Sequence, residues 1–499
     1  MQDVEATFPP DRRSLLRGAG AAALTGAMGG GALSSAFAAP ARRRSPNEEL
    51  RVAVVGVRGR GRNHIDGFRR IADVKVVALV DVDTAILARE AKRFEERGET
   101  VDTYVDLREA LERDDIDVIS IASPNHWHAL QAIWSCQAGK HVYCEKPVSH
   151  DVWEGAQIVA AARKYGRIVQ TGTQSRSSHA IRDAVAWLQG GGLGRIRVAR
   201  GLCYKPRKSI GKVDGPVEPP ASVDYDLWLG PAPKVPLQRR NLHYDWHWDF
   251  DTGNGDLGNQ GIHQMDIARW ALGVDGFPRR VRSVGARLGY DDDANTPNTM
   301  VSVFEYDEAP LVFEVRGLPR DKAAQTENWG GGMDSFLGAR IGVLIHCENG
   351  VLRIPNYTSA AAVDVNGRIL REWRGADDHY ANFVDAVRAG DPAMLNADIA
   401  EGHLSSALCH LGNISYQLGS PANGADAGSE LASNVAASEA FVRMRSHLAA
   451  NEVDLDGEAL LLGPSLAMDP ATESFLENER ANALLAKDYR APFVVPAEV

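Results

Sequence analysis

The chain has 499 residues, of which 44% are hydrophobic and 24% are charged, and its formal net charge is −11. This length exceeds what one hydrophobic core supports, so we expect two or three domains, and the composition is that of an ordinary soluble globular protein. The negative net charge argues against a nucleic acid as partner, and past the N-terminus no apolar run is long enough to cross a bilayer.

The first 38 residues are predicted to be a targeting segment. Residues 11–17, with adjacent Arg12 and Arg13, resemble a twin-arginine signal, and a weakly hydrophobic Ala/Gly stretch follows them. Ala36-Phe37-Ala38 fits a small-residue cleavage site. We therefore expect the folded protein to be exported to the periplasm or another extracytoplasmic location, with residues 39–49 as a polar linker.

Residues 50–173 are predicted to form a nucleotide-binding domain, because strand-like and helix-like segments alternate there as in a doubly wound parallel sheet. The β-branched run at residues 50–55 stops at a glycine-rich turn before an amphipathic helix. A strand, a turn and a helix in this order make a phosphate cradle, and a carboxylate at the end of the second strand would bind the ribose hydroxyls. No Arg or Lys directly follows that carboxylate, so NAD is favoured and NADP is the alternative. The predicted cofactor contacts here are Gly56, Arg58, Gly59, Arg60, Gly61 and Asp81.

Two further strands of this domain end in polar motifs. One is followed by Ser-Pro-Asn-His-Trp-His at residues 123–128, and the other ends in Glu145-Lys146-Pro147. Ligands of α/β proteins bind at the carboxyl ends of parallel strands, so Lys146 is the first candidate for chemistry.

Residues 174–418 are predicted to form a second domain around an antiparallel sheet, with Asn-Gly hairpin turns at residues 349–350 and 366–367. One face of this sheet must be covered, either by helices around residues 379–389 and 399–418 or by another subunit, and we expect a homo-oligomer through the sheet. Residues 419–428 have the composition of a linker. The C-terminal extension, residues 419–499, is expected to pack on the body of the protein or on a neighbour.

The glycine-rich turn, Asp81, the motif at residues 123–128, the Ala-Gly-Lys-His-Val segment at residues 138–142 and the Glu-Lys-Pro motif occur in an order that resembles the Gfo/Idh/MocA family of oxidoreductases. The resemblance covers residues 50–418. It implies an N-terminal Rossmann domain, a C-terminal α/β domain with an open, mostly antiparallel sheet, a tightly held nicotinamide cofactor, and sugar or cyclitol substrates. It also implies that Lys146 points at the reacting hydroxyl or carbonyl group.

The catalytic residues implied by this resemblance are Lys146, His263 and Asn259. Asn259 stands where the family usually has the aspartate of Asp-x-Gly-x-His, and an amide can orient the imidazole of His263 but cannot stabilise it as imidazolium. Which of Lys146 and His263 takes the proton is left open. Further cofactor contacts are expected from Ser123, Asn125, His128, Glu145, Lys146 and Gln174.

A polar and aromatic segment at residues 243–266 suits a sugar, because aromatic faces stack on sugar rings while carboxylates and imidazoles bind hydroxyls. The predicted substrate contacts are Lys146, Tyr204, Lys205, Tyr244, His247, Trp248, Asn259 and His263. The five cysteines are scattered and contain no CxxC pair, so neither a disulfide framework nor a structural zinc site is expected, and no metal is predicted.

These features predict an NAD(P)-dependent oxidoreductase that transfers hydride to or from a sugar, glycoside or cyclitol. Because free NAD is scarce outside the cytoplasm, an exported enzyme should keep its cofactor and regenerate it in the same site. Two alternatives stay open. One is a glycoside hydrolase that oxidises a carbinol transiently, eliminates the aglycone, adds water and reduces again. The other is a non-catalytic sugar sensor, which the intact Lys146 disfavours.

Overall fold

The computed structural model describes residues 49–457 and 459–499. The predicted targeting segment and all but the last residue of the predicted linker lie outside the described residues. Among the residues that are described, none of the helices combines the length and apolar character needed to span a membrane.

The first domain is built on a six-stranded parallel sheet with the strand order β3-β2-β1-β4-β5-β6. The strands are β1 (Leu50–Val55), β2 (Val74–Val80), β3 (Asp102–Tyr104), β4 (Val118–Ile121), β5 (His141–Cys144) and β6 (Val169–Thr171). The helices are α1 (Arg60–Arg69), α2 (Thr84–Glu95), α3 (Leu107–Leu111), α4 (Asn125–Gln137) and α5 (Val152–Lys164). The strand order reverses between β1 and β4, which places a ligand crevice at their carboxyl ends. The predicted doubly wound sheet is confirmed.

The second domain is built on a mixed, mostly antiparallel sheet in which only β7 and β10 pair in parallel. Its strands are β7 (Ile196–Tyr204), β8 (Arg280–Ala286), β9 (Thr299–Glu305), β10 (Leu311–Arg316), β11 (Ile341–Cys347), β12 (Gly350–Asn356), β13 (Ser359–Asp364), β14 (Ile369–Arg374), β15 (Ser420–Ala422), β16 (Leu460–Leu462), β17 (Leu466–Asp469) and β18 (Ser474–Phe475). The predicted hairpin turns are confirmed between β11 and β12 and between β13 and β14.

The helices that follow the first domain differ widely in length, from one turn to nineteen residues. They are α6 (His179–Gln189), α7 (Tyr225–Leu229), α8 (Leu242–Asp245), α9 (Gly255–Asn259), α10 (Gly261–Leu272), α11 (Lys322–Glu327), α12 (His379–Ala389), α13 (Ile399–Gln417), α14 (Gly424–Leu431), α15 (Val435–Ala450) and α16 (Glu479–Asn482). Short 3₁₀ turns lie at Gln174–Ser177, Trp246–Trp248 and Pro392–Met394.

Helices of the same chain pack on both faces of the second sheet. On one face, Met265 of α10 and Leu408 of α13 join the core that contains Phe304 of β9. On the other face, Phe441 of α15 is buried against a cluster that includes Val301. The C-terminal extension therefore supplies the cover of a face for which either helices or a second subunit were expected.

Two predictions about this region are wrong. The helix at residues 379–389 does not cover the second sheet: it packs on the first domain, where Tyr380 stacks on Tyr143 with ring centroids 4.9 Å apart and Phe383 contacts Phe68. Residues 419–428 do not form a linker, because β15 pairs with β16 and the Asn423 side chain caps α14. This run of small and polar residues instead forms a short strand followed by a capped helix.

We predict that Phe441→Ala lowers the free energy of unfolding by about 3–5 kcal/mol, because the side chain is almost fully buried and its removal leaves a cavity under the C-terminal helix. Val442→Ala, on the exposed side of the same helix, should change it by less than about 0.5 kcal/mol. Urea unfolding followed by circular dichroism measures both. Equal effects of the two substitutions would show that α15 does not cover the sheet.

Candidate active site at the interdomain cleft

A cleft of about 720 Å³ lies at the carboxyl ends of β1, β2, β4 and β5, where the crevice of a doubly wound sheet is expected. It is lined by the glycine-rich turn, by the residues that follow β4, by Glu145 and Lys146, and by a segment of the second domain. The predicted site residues that line it are Gly56, Arg58, Gly59, Arg60, Asp81, Ser123, Asn125, His128, Glu145, Lys146, Tyr244, His247 and Asn259.

The glycine-rich turn needs its glycines for close backbone approach. Gly56 has φ 75°, and a Cβ at this position would lie 2.7 Å from the carbonyl oxygen of Ala122. A Cβ on Gly61 would lie 1.8 Å from the carbonyl oxygen of Gly56, so only glycine lets α1 start this near the turn. Among the described residues, no side chain caps the N-terminus of α1. The N–H groups of Gly61 and Arg62 donate to the carbonyl oxygens of Arg58 and Gly59, and the positive end of the helix dipole suits a phosphate.

Asp81 lies in the cleft at the end of β2, as predicted. Its carboxylate accepts hydrogen bonds from the backbone N–H groups of Val57 and Asp83, each at 3.0 Å. Burial raises the pKa of Asp81 to about 6 despite these hydrogen bonds. The carboxylate thus fixes the turn and the end of β2 together and keeps further acceptor capacity toward the cleft.

The residues that follow β4 form the opposite wall. Asn125 donates to the side-chain oxygen of Asn254 at 3.0 Å, and Ser123 donates to Gln131 at 2.7 Å. His128 lies between the carbonyl oxygens of Ser123 and Pro147, at 2.7 Å and 2.6 Å. Burial lowers its pKa, and in the neutral form its single N–H donates to one of these two carbonyl oxygens.

Glu145 is buried at the base of the cleft, where three side chains donate to it. Arg60 Nε lies 2.6 Å from its carboxylate, His64 Nε2 lies at 3.1 Å, and Gln174 Nε2 lies at 3.3 Å. Burial alone would raise the pKa of Glu145, but the positive charge of Arg60 and the hydrogen bond from His64 hold it well below its usual range. The carboxylate therefore stays ionised.

Lys146 follows Glu145 after the end of β5 and lines the cleft, and its peptide bond to Pro147 is cis. Its Nζ donates to the backbone carbonyl of Asn259 at 2.7 Å. Burial lowers the pKa of Lys146 to about 8, Glu145 opposes this shift, and the positive charges of Arg60, Lys205 and Arg207 add to it. An amine with this pKa exchanges protons readily near neutral pH.

His263 is buried in α10 close to Lys146, and its ring lies 5.0 Å from that of Tyr357. Burial and then the charge of Lys146 lower its pKa to about 3, so the imidazole is neutral. Among the described residues, its Nδ1 has no hydrogen-bond partner. The expectation that Asn259 orients this imidazole is wrong, because both its backbone carbonyl and its side-chain oxygen, 3.5 Å from Nζ, accept from Lys146 instead.

The second domain contributes a polar wall. Lys205 Nζ donates to Gln260 at 2.6 Å, and Arg207 forms a bidentate pair with Asp256. Arg207 also donates to the hydroxyl of half-exposed Tyr244 at 2.7 Å. His247 stacks on Trp246 with ring centroids 3.7 Å apart.

Two predicted substrate contacts lie elsewhere. Tyr204 is fully buried on the opposite face of β7, where its hydroxyl donates to Glu314 at 2.6 Å. Side chains alternate along a strand, and the face toward α9 takes Cys203 and Lys205 instead. Trp248 is buried, and the guanidinium carbon of Arg207 lies over its ring, 5.1 Å from the ring centroid. Trp248 therefore supports the Arg207 side chain.

Sequence reasoning missed several residues of the site. His64 has no motif of its own, and only its place one turn into α1 could have suggested it. Trp228 lines the cleft from a stretch with no regular pattern, and Tyr357 arrives from the hairpin between β12 and β13. In the described part of the chain, no cluster of three or more His, Cys, Asp or Glu side chains is arranged to hold a metal ion.

We predict that Gly61→Ala weakens NAD binding at least about tenfold, because its Cβ cannot coexist with the carbonyl oxygen of Gly56 and the turn must open. Gly276→Ala is the matched control, since that position has open space and an ordinary backbone conformation. Calorimetric titration of nucleotide-stripped protein measures both affinities. Unchanged affinity in the Gly61 variant would contradict the assignment of the turn.

Comparison with known proteins agrees with this geometry. Residues 50–173 match the model of the Gfo/Idh/MocA oxidoreductase family described as an NAD-binding Rossmann fold, and residues 195–323 match that of its C-terminal alpha/beta domain. The two matches together span just over half of the chain. Among solved structures, the WlbA dehydrogenase of Chromobacterium violaceum with NADH and UDP-GlcNAcA is 20% identical, with TM-score 0.55 over 74% of this chain and 94% of that one. Levoglucosan dehydrogenase with NADH and levoglucosan is 18% identical, with TM-score 0.54 over 72% of this chain and 95% of that one.

Curated relatives match a shorter stretch. Glycosyl hydrolase family 109 protein 2 of Shewanella sp. strain ANA-3 is 35% identical over 120 residues, which is 23% of this chain and 26% of that protein. Alpha-N-acetylgalactosaminidase of Shewanella oneidensis is 35% identical over 122 residues, or 23% of this chain and 27% of that one. The match thus spans about a quarter of these relatives. From the two family matches and the fold, the chain belongs to the Gfo/Idh/MocA family of oxidoreductases, and its first domain is an NAD-binding Rossmann domain.

Proposed function

We propose that this protein is an NAD-dependent oxidoreductase that transfers hydride to or from a hydroxyl-bearing carbon of a sugar, glycoside or cyclitol, with its cofactor retained between turnovers. The observation that carries the proposal is Lys146, a buried amine with a pKa of about 8 at the mouth of a nucleotide cleft. NAD is preferred over NADP because Asp81 would repel a 2′-phosphate. Two arginines, Arg62 and Arg89, line the same cleft as Asp81, but each already contacts the carboxylate of Glu90.

The residues of the cleft divide the chemistry between them. NAD, when bound, supplies a carbon that accepts or returns a hydride. In the oxidative direction, the neutral amine of Lys146 takes the hydroxyl proton of the substrate, and in the reductive direction its ammonium form returns it. The backbone carbonyl of Asn259 orients this amine, and ionised Glu145 stabilises the ammonium form. His263 is too weak a base to compete, and a ring nitrogen of its neutral imidazole can hydrogen-bond a substrate hydroxyl.

The sugar class of the substrate is supported by the chemistry of the second wall. Tyr244 and the stacked pair of Trp246 and His247 offer aromatic surface in the cleft. Lys205, whose charge acts on the Lys146 amine, adds a donor for hydroxyl oxygens. Related solved dehydrogenases contain UDP-GlcNAcA or levoglucosan, which are carbohydrates.

A second candidate is a glycoside hydrolase that uses NAD without net redox change. In that reaction a carbinol is oxidised, the aglycone is eliminated, water adds, and the same hydride is returned. The specific observation in its favour is the likeness to family 109 glycosyl hydrolases, which are 35% identical over 120 to 122 residues. The oxidoreductase is preferred because that likeness covers only 23% of this chain, whereas both domains match models of the oxidoreductase family.

Export and assembly extend the proposal. We infer from the twin-arginine pattern at residues 11–17 that the protein works outside the cytoplasm, where a retained cofactor matters most. We further infer a homo-oligomer through the uncovered end of the second sheet, where Ile369 and Leu370 of β14 are about half exposed. Light scattering of the purified protein reports the subunit number.

A panel of free sugars and aryl glycosides distinguishes the two candidate functions. We expect the purified, nucleotide-loaded protein to reduce its bound NAD with at least one sugar or glycoside and to yield a keto product. Phenol released over many turnovers with no net NADH would establish the hydrolase instead. A protein that neither carries nor takes up NAD(H) or NADP(H) would refute both functions.

We predict that kcat/KM for oxidation rises about tenfold per pH unit below the pKa of Lys146, about 8, and levels off above it, because only the neutral amine accepts the proton. Lys146→Met should abolish this rise of kcat/KM with pH and lower the activity at least about 100-fold, while nucleotide binding persists. Lys212→Met, on the surface, is the control. A Lys146 variant that keeps the same rise would show that another group takes the proton.

A further inference from the structure

A long excursion of the second domain lies across the nucleotide cleft. We call residues 217–248 the flap; they leave the second sheet after β7 and include α7 and α8. Flap residues form a large part of the cleft wall: Leu227, Trp228, His243, Tyr244, Trp246 and His247.

One side of the flap is fastened to the turn between β2 and α2. The backbone N–H of Thr84 donates to the carbonyl of Ser222 at 2.9 Å, and that of Asp224 donates to the carbonyl of Val82 at 3.0 Å. Beside this backbone pairing, His243 Nε2 lies 2.9 Å from the carboxylate of Asp83. Part of this contact is desolvated, since the His243 side chain is only 23% exposed.

The other side of the flap is fastened to the start of α4. The indole N–H of Trp127 donates to the carbonyl of Trp228 at 3.0 Å, and His126 Nε2 lies 3.0 Å from the same oxygen. Gly230 comes so close to the Trp127 ring that a Cβ there would lie 2.1 Å from it. The His126 side chain is therefore bound to the flap.

These two anchorages flank the crevice on both sides. The first follows β2 and the second follows β4, and β1 with its glycine-rich turn lies between them in the sheet. A dinucleotide spread along the carboxyl ends of these strands therefore lies beneath the flap. Its departure requires at least one anchorage to open.

The C-terminal tail fastens the flap from outside. We call residues 487–495 the strap. Within it, Arg490 donates to the carbonyl of Gly230 at 3.0 Å, to the carbonyl of Asp226 at 2.7 Å and to the carboxylate of Asp226 at 3.1 Å. Phe493 packs on Trp127 with ring centroids 5.3 Å apart. The strap thus binds the flap and the helix on which the flap rests.

We propose that His243 and Arg490 are positioning residues that hold the flap closed over the bound dinucleotide and so slow its release. The proposal rests on the proposed function, since it concerns the retention of the same cofactor. Neither residue takes part in hydride or proton transfer. His243 closes the edge near β2, and the fork of Arg490 secures α7 at the edge near β4.

The test measures how fast NAD leaves the full-length, nucleotide-loaded protein when an excess of labelled NAD is added. Arg490→Met and His243→Ala should each raise the dissociation rate about tenfold, as expected for the loss of charge-assisted hydrogen bonds. Arg490→Lys, which keeps one charge without the fork, should fall between Arg490→Met and the wild type. Lys234→Met is the matched control, since Lys234 contacts the same Asp226 carboxylate from solvent and does not belong to the strap.

The unfolding midpoint of each nucleotide-stripped variant separates retention from stability. Faster release in both His243→Ala and Arg490→Met, with an unchanged rate in Lys234→Met, supports the proposal. If the stripped variants unfold earlier while loaded protein releases NAD at the wild-type rate, the contacts only stabilise the fold and the proposal is overturned. Absence of bound nucleotide in the wild type, with none taken up, would instead overturn the proposed function, and this inference with it.

Discussion

The site depends on the interactions of one buried carboxylate, that of Glu145. Its charge is compensated by Arg60 from the helix after the glycine-rich turn, and His64 of the same helix donates to it. Gly172 leaves room for the carboxylate, since a Cβ there would lie 2.8 Å from it. One ion pair therefore ties the nucleotide cradle to the strand that carries Lys146.

The same charge balance sets the proton affinity of Lys146. Burial lowers the pKa of the amine, and Arg60, Lys205 and Arg207 lower it further, whereas Glu145 raises it. Arg207 is in turn neutralised by a bidentate contact with Asp256. Without the carboxylate of Glu145 the amine would lose its main stabilising charge and would be a weaker base. The two adjacent residues of one motif thus act as a unit, which explains why both the acid and the amine stand at the end of β5.

The fold of the first domain could be predicted because its signals are local: β-branched strands, a glycine-rich turn, and a carboxylate after the second strand. Lys146, Asp81 and Asn125 were placed correctly for the same reason, since the carboxyl ends of parallel strands meet at one edge. The prediction that Tyr204 contacts the substrate is wrong because neighbouring residues of a strand point to opposite faces. The local sequence does not show which face meets the cleft. Asn259 lines the cleft, but it contacts Lys146 where contact with His263 was expected, and the closer contact uses a backbone carbonyl that carries no sequence signal.

The C-terminal extension was the least predictable part and is closely joined to the rest. Lys487 is buried against His150 and also donates to the carbonyl of Phe250 at 3.3 Å. A buried ammonium is costly unless compensated, and the nearby charges of Glu154 and Asp151 oppose the lowering of its pKa by burial. His150 in turn bonds the carbonyl of Gly253 at 3.0 Å, next to the asparagine that holds Asn125 at the cleft. The C-terminal extension therefore supports the wall of the cleft although it lies more than two hundred residues away in sequence. No pattern within either segment predicts that the two are in contact.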